Sequence, residues 1–234
     1  MKKTILSVLM TFGIFSMVSA DIGVKIGVSG QIGSMETSGK EVSTDGTTES
    51  STTEEALFGT AGFFIEKDLK FIPVPIINRI SLGYDNIIHD LDLGTQTNTQ
   101  SGDGLAADGS KSSTNRPTAE HSVNAKIDGF ETVYATLNIT DWLYVKGGNV
   151  SVDVKTEFKG TSTSSYATSH SLDGTVFGFG LHHENDNGLF MRLEYNDYNI
   201  DGKSVKNTGT DSKFTATLND VSGTTGRISI GKAF

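Results

Sequence analysis

Five histidines and a scatter of lysines, arginines and carboxylates are the side chains in this 234-residue chain that could do chemistry. His182 and His183 stand just before the turn-forming run Asn185 to Gly188, and His89 and His121 flank a long polar tract. Hydrolysis wants a nucleophile, a base and an orienting acid held together. His182 and His183 end their strand at the short-turn end, away from the long tracts, and no serine or acid motif accompanies His89 and His121. Acids such as Asp201 and Asp211 lack the spacing of a calcium loop. The chain contains no cysteine, which removes disulfides, thiolate chemistry and a lipidated cysteine. No catalytic, cofactor or metal site is therefore expected.

The remaining charges have a pattern. Lys25, Glu66, Arg79, Asp85, Lys126, Asp128, Lys146, Arg192, Glu194 and Arg227 each fall on the polar side of a segment whose alternate residues are apolar. Turned towards a common interior they should pair, because an isolated buried charge is very costly. Arg192 with Glu194 and Lys126 with Asp128, two apart on one face, are the expected pairs. The bland outcome is a plug of salt bridges; the sharper one is a selective ion path lined by the same groups.

Period-two alternation marks the segments that must position these groups as strands. In the first, Ile22, Val24, Ile26, Val28 and Ile32 oppose Lys25, Ser29 and Gln31. The second, about Leu57 to Asp68, sets Leu57, Ala61, Phe63 and Ile65 against Glu66. A third, about Ile76 to Asp92, sets Ile80, Leu82 and Tyr84 against Arg79, Ser81 and Asp85. The fourth, about His121 to Asn138, places Val123, Ala125 and Ile127, then Val133, Ala135 and Leu137, opposite Lys126, Asp128, Thr132 and Thr136; Glu131 breaks its pattern. The fifth runs to about Phe158 and changes parity at Gly147-Gly148, which suggests a bulge. The sixth opposes Thr175, Phe177, Phe179 and Leu181 to Val176 and His182, and the seventh opposes Leu189, Met191, Leu193 and Tyr195 to Arg192, Glu194 and Asn196. The last runs from about Lys213 to Phe234 with a bend near Gly223, and sets Ile228, Ile230 and Phe234 against Arg227 and Ser229.

Polar Ser/Thr/Gly tracts at Ser34 to Glu55, Gly94 to Ala119, Gly160 to Ser171 and Asp201 to Asp211 read as long loops. They alternate with short connections near Lys70, Thr140 and Asn187. Eight strands with long and short connections in strict alternation predict an all-β, eight-stranded antiparallel up-and-down transmembrane β-barrel, with four long outer loops and three short periplasmic turns. Such a barrel is only just wide enough inside for its own side chains, which favours the plug.

Residues 1–20 carry Lys2 and Lys3, an apolar stretch from Thr4 to Met17, and Val18-Ser19-Ala20. That is the pattern of a signal peptide cleaved after Ala20, leaving 21–234 as the barrel. Losing two lysines takes the net charge from -9 to -11, which argues against a nucleic-acid partner. Hydrophobic residues make up 35%, low for a packed apolar core and suited to a wall with one polar side. Past residue 20 no apolar run could form a membrane helix, which does not speak against barrel strands.

The terminal strand GRISIGKAF, the signal peptide and the loop rhythm together resemble the small outer-membrane barrels of the OmpA, OmpX and opacity-protein type. The resemblance covers the barrel only. It implies location in a Gram-negative outer membrane, partnership with its lipid and lipopolysaccharide, and recognition of Phe234 by the barrel-assembly machinery. It also implies a monomer without a cofactor. On this reading the protein is a non-enzymatic surface barrel serving envelope structure, adhesion or shielding. A narrow porin-like channel is the second reading and a lipid A-modifying enzyme the third.

Overall fold

The structure is a computed structural model that describes residues 22–43, 48–100, 119–159, 167–207 and 214–234. Residues 1–20, expected as a signal peptide, lie outside these. The strands are β1 (Val24–Ser43), β2 (Thr48–Asp68), β3 (Ile80–Ile87), β4 (Leu91–Gln100), β5 (Ala119–Asn138), β6 (Leu143–Lys159), β7 (Ser169–Glu184), β8 (Leu189–Ile200), β9 (Lys203–Lys206), β10 (Phe214–Leu218) and β11 (Val221–Ala233). Every pairing is antiparallel, and β11 returns to β1 through the ladder from Lys25↔Ala233 to Glu36↔Ser222, so the wall closes on itself. Three staves are interrupted. β3 and β4 both pair β5, β10 and β11 both pair β1, and β8 and β9 follow β11 and β10. Counted as staves, the chain is a closed eight-stranded barrel. The break in the last stave falls at Asn219 and Asp220, while Gly223 stays in the ladder.

One end carries the short connections: Leu69–Arg79, which includes a 3-10 turn at Ile77–Arg79, then Ile139–Trp142, then Asn185–Gly188. In the last of these Gly188 takes φ +76°, and the Asn185 side-chain oxygen accepts from the amides of Asn187 and Leu189, both at 3.0 Å. Asn-Gly is favoured in such turns because the second residue tolerates positive φ.

At the other end the strands run further than their composition predicts. The described residues of the Ser34 to Glu55 tract are a paired extension of β1 and β2, reaching Val42↔Thr48. Segments expected as loop also form β4, the start of β7 and β9. Threonine is a good strand former, and a strand wet on both sides needs no apolar alternation. At this height the wall parts into two leaves. The β2–β3 ladder stops at Gly62↔Ile87, and the β7–β8 ladder stops at Gly174↔Ile200. One leaf is β9-β10-β1-β2 and the other β4-β5-β6-β7.

Both surfaces of the wall change character along each stave. On β8 the outward residues are Leu189, Met191, Leu193 and Tyr195, then Asp197 and Asn199. Its inward residues are Phe190, Arg192, Glu194 and Asn196, then Tyr198 and Ile200. β6 shows Leu143, Val145 and Gly147 outside, followed by Asn149, Ser151, Asp153 and Lys155, while its inner side passes from Tyr144 and Lys146 to Val150 and Val152. Pairing is unbroken through Gly147 and Gly148, so the expected bulge is absent there. The parity change in the sequence is an inversion of polarity on both sides with no shift of register.

The bulge sits in β5, between Ile127 and Gly129, with Asp128 as the extra residue. It turns Ile127 inwards, where it joins a buried cluster with Met35, Leu91, Phe130, Val150, Val152, Leu172, Val176, Tyr198 and Ile200. Lys126 and Asp128 are thereby on the outer surface, correcting their expected place in the interior. Asp128 accepts a 2.5 Å contact from Lys155 and holds that ammonium above its usual pKa. Because the chain lacks native cysteine, this register is directly testable. Lys126→Cys should react with a membrane-impermeant maleimide within minutes in folded protein, and Ile127→Cys at least tenfold more slowly; equal rates would refute the bulge.

Candidate functional site: a charged lumen closed by an apolar tier

Eight buried charged side chains occupy the turn-side half of the lumen: Lys25, Lys146, Arg192 and Arg227 against Glu66, Asp68, Asp85 and Glu194. Four positive groups thus meet four negative ones, as a space without room for bulk water requires. Glu66, fully buried, is gripped by both terminal nitrogens of Arg192 at 2.5 and 2.6 Å and accepts from the Tyr134 hydroxyl at 2.8 Å. Glu194 lies 3.5 Å from Lys146 and 3.3 Å from Nε of Arg227, whose other carboxylate partner is Asp85. Nearer the mouth, Lys25 donates to both oxygens of Asp68 at 2.9 Å, and the Ser81 hydroxyl donates to the same carboxylate at 2.6 Å.

Arg192 and Glu194 therefore do not pair with each other, although they are two apart on one strand. Arg192 reaches across the lumen to β2, whereas Glu194 meets Lys146 on β6 and its own ladder partner Arg227 on the adjoining β11. Of the ten residues expected inside, the structure brings together Lys25, Glu66, Asp85, Lys146, Arg192, Glu194 and Arg227. Arg79 is not among them. It ends the 3-10 turn, is exposed, and donates to the Ile139 carbonyl at 3.1 Å, because the chain turns helically at Ile77–Arg79 before β3 begins. Asp68 was missed, although its position two beyond Glu66 in an alternating strand was the available signal.

Aromatic rings fill the space between the charges. Phe64 lies 5.4 Å from the Arg192 guanidinium and 5.6 Å from that of Arg227, and Lys146 stands 4.3 Å over the Tyr134 ring. Desolvated contacts of this kind are worth up to about 2 kcal/mol. Each ring lies on a glycine directly opposite in the ladder: Phe64 on Gly27, Tyr134 on Gly83, Tyr144 on Gly180 and Phe190 on Gly231. A Cβ at Gly83 would come within 2.3 Å of the Tyr134 ring, and one at Gly180 within 2.5 Å of Tyr144. These glycines leave the room in which the rings lie flat.

His182 closes the network at the mouth. Its Nδ1 accepts from Nε of Arg192 at 3.2 Å, and its Nε2 is 3.2 Å from Glu184, so the ring supports the Arg192–Glu66 pair. A cavity of about 500 Å³ opens at this end, lined by Lys25, Arg79, Ser81, Trp142, His182 and Arg192 among others. Above the charges comes an amide and hydroxyl layer of Gln31, Thr60, Thr132, Asn196 and Thr225, and above that the apolar cluster. Phe130 and Tyr198 meet edge to face there, with centroids 5.6 Å apart.

The arrangement defines the class of the molecule: a closed antiparallel eight-stranded barrel with an internally neutralised lumen. No family model matches the chain, and no curated protein matches it. Among solved structures it is similar to the outer membrane protease OmpT from Escherichia coli (6% identity, 94% of this chain and 99% of that one, TM-score 0.41). It is also similar to the outer membrane protein OprG from Pseudomonas aeruginosa (9%, 92% and 98%, TM-score 0.43) and to Neisserial surface protein A (10%, 88% and 97%, TM-score 0.36). Likenesses at that level carry no assignment; the geometry above does.

Removing Arg192 would leave Glu66 buried and uncompensated. Arg192→Met should destabilise the barrel by about 3–5 kcal/mol, and adding Glu66→Gln should recover most of it. Urea unfolding in lipid vesicles, followed by the fluorescence of the single tryptophan, Trp142, measures both. Equal losses in the single and double variants would count against the pair.

Proposed function

We propose that this chain is an exported barrel of a Gram-negative outer membrane, a non-enzymatic surface protein serving envelope structure, adhesion or shielding. The observation that carries the reading is the exposed apolar belt around a charged interior. Ile26, Val28, Phe63, Leu82, Phe177, Phe179, Leu193, Ile228 and Ile230 all face outward and are exposed, while ionised groups sit within the same wall. In water this would be an inverted protein. In hydrocarbon it is the expected arrangement, since a closed ladder satisfies every backbone group and the belt meets lipid.

Aromatic side chains mark the belt's two borders, as amphipathic rings do at membrane interfaces. Trp142, Phe71 and Phe234 are exposed towards the turn end. Towards the other border the outward rings of Phe63 and Tyr84 are 6.5 Å apart, and those of Phe179 and Tyr195 5.6 Å apart. Lipid and lipopolysaccharide would surround the belt, and β11 would engage the assembly machinery through Phe234. The wall closes within one chain, which supports a monomer.

The lumen is read as shut. The cavity at the turn end favours the channel reading as far as Arg192, but Phe130, Val150, Val152, Val176 and Ile200 fill the interior beyond it. Purified protein should migrate differently on a gel before and after boiling, as folded barrels do, and should give no steady conductance in planar bilayers. Steady single-channel openings would overturn the closed reading. Identical migration with and without boiling would count against the barrel itself.

A further inference from the structure

Above the belt, the two seams in the wall are finished differently. At the β7/β9 seam the Asp201 amide donates to the Asp173 carbonyl at 2.8 Å, and Lys203 donates to the Ser171 carbonyl at 3.2 Å. One of the two edges there is β9, a four-residue strand with exposed Lys203 and Lys206 at its ends. Short edges guarded by lysine resist the addition of another strand.

The β2 edge has neither protection. Its last contacts are at Ala61, whose amide donates to Nε2 of His89 at 3.0 Å and whose carbonyl accepts from the Ile88 amide at 3.2 Å. Alternate residues of a strand turn their amide and carbonyl to the same side. Ala61 turns both towards β3, so Gly59, Leu57, Glu55 and Thr53 present theirs to the seam as well. Among the described residues no ladder or other backbone bond meets them there. The outward side chains of this edge are also unusual. Leu57 is 85% exposed, and Glu55 and, across the ladder, Glu36 are exposed. No lysine or arginine falls between Lys40 and Lys67.

We propose that the β2 edge from Thr53 to Gly59 is a docking site for an extended, lysine- or arginine-bearing polypeptide segment, which adds to the sheet as a further strand. Main-chain bonds to Thr53, Glu55, Leu57 and Gly59 would hold it, an apolar side chain would cover Leu57, and basic side chains would meet Glu36 and Glu55. The same carboxylates disfavour a second copy of this edge, since like charges opposite each other destabilise a pair. The inference rests on the surface-barrel reading, which places this edge outside the lipid.

The test uses the full mature chain in lipid nanodiscs and two ten-residue probes alternating valine with lysine or with glutamate. The lysine probe should bind, seen by fluorescence anisotropy, and should slow amide exchange at Glu55, Leu57 and Gly59. The glutamate probe should bind at least tenfold more weakly. Leu57→Pro removes one seam-facing amide and no β1 bond, so it should weaken the lysine probe at least tenfold while leaving the boiling-dependent gel shift intact. Glu55→Lys should weaken it too. Equal binding of both probes, binding unaffected by Leu57→Pro, no binding at millimolar probe, or amides already protected in free protein would each overturn the site. Loss of the gel shift in the unaltered protein would instead be a failure of the barrel reading.

Discussion

A wall one residue thick has no interior of its own. Each strand sends alternate side chains to opposite sides, so every height of the barrel must suit two environments at once. The rest of this structure follows from how that constraint is met. Where the outside is apolar, from Leu189 to Tyr195 on β8, the inside is Arg192 and Glu194; where the outside is Asp197 and Asn199, the inside is Tyr198 and Ile200. The same exchange occurs at the corresponding height on β1, β6 and β7. The lower half has the polarity of a barrel in lipid and the upper half that of a small barrel in water, joined through continuous strands.

The lower half has to solve a packing problem and a charge problem in one narrow space. Opposite charges reach across the lumen, Arg192 to Glu66 and Arg227 to Asp85, and so tie distant staves together. The rings of Phe64, Tyr134, Tyr144 and Phe190 wall off the ion pairs, which raises the cost of breaking one. Inward glycines on the neighbouring staves are the steric condition for those rings. The upper half needs none of this, and its apolar cluster closes the lumen by ordinary side-chain packing.

Much of the fold was legible because its signals are local. The alternation of β7 and β8, the Asn-Gly turn between them, and the face carrying Ile228 and Ile230 can be read residue by residue. Seven of the expected lumen charges could be placed from parity alone. Two of the failures share one cause, the assumption that apolar always means outward. It put Lys126 and Asp128 inside, because Ile127 between them was taken to face out, and it created a bulge at Gly147 from the valines that follow. A bulge adds one residue and leaves no compositional mark; Glu131 faces outward in phase with Val133, level with Asn86 and Ser151, where the outer surface has turned polar. Arg79 failed for another reason, since parity says nothing once Ile77–Arg79 turns helically. The seams and the pairing of Arg192 with Glu66 were beyond reach, because register across the barrel is a long-range property.

The inversion of both faces at one height can be measured directly by methyl NMR of the barrel in nanodiscs, with a nitroxide attached to the lipid chains and, separately, a nitroxide dissolved in water. The methyls of Leu193, Val133 and Ile228 should be bleached by the lipid probe alone, and those of Ile127, Val150 and Val152 by neither. Bleaching of Val150 and Val152 from the lipid, or of Leu193 and Ile228 from the water, would contradict the account.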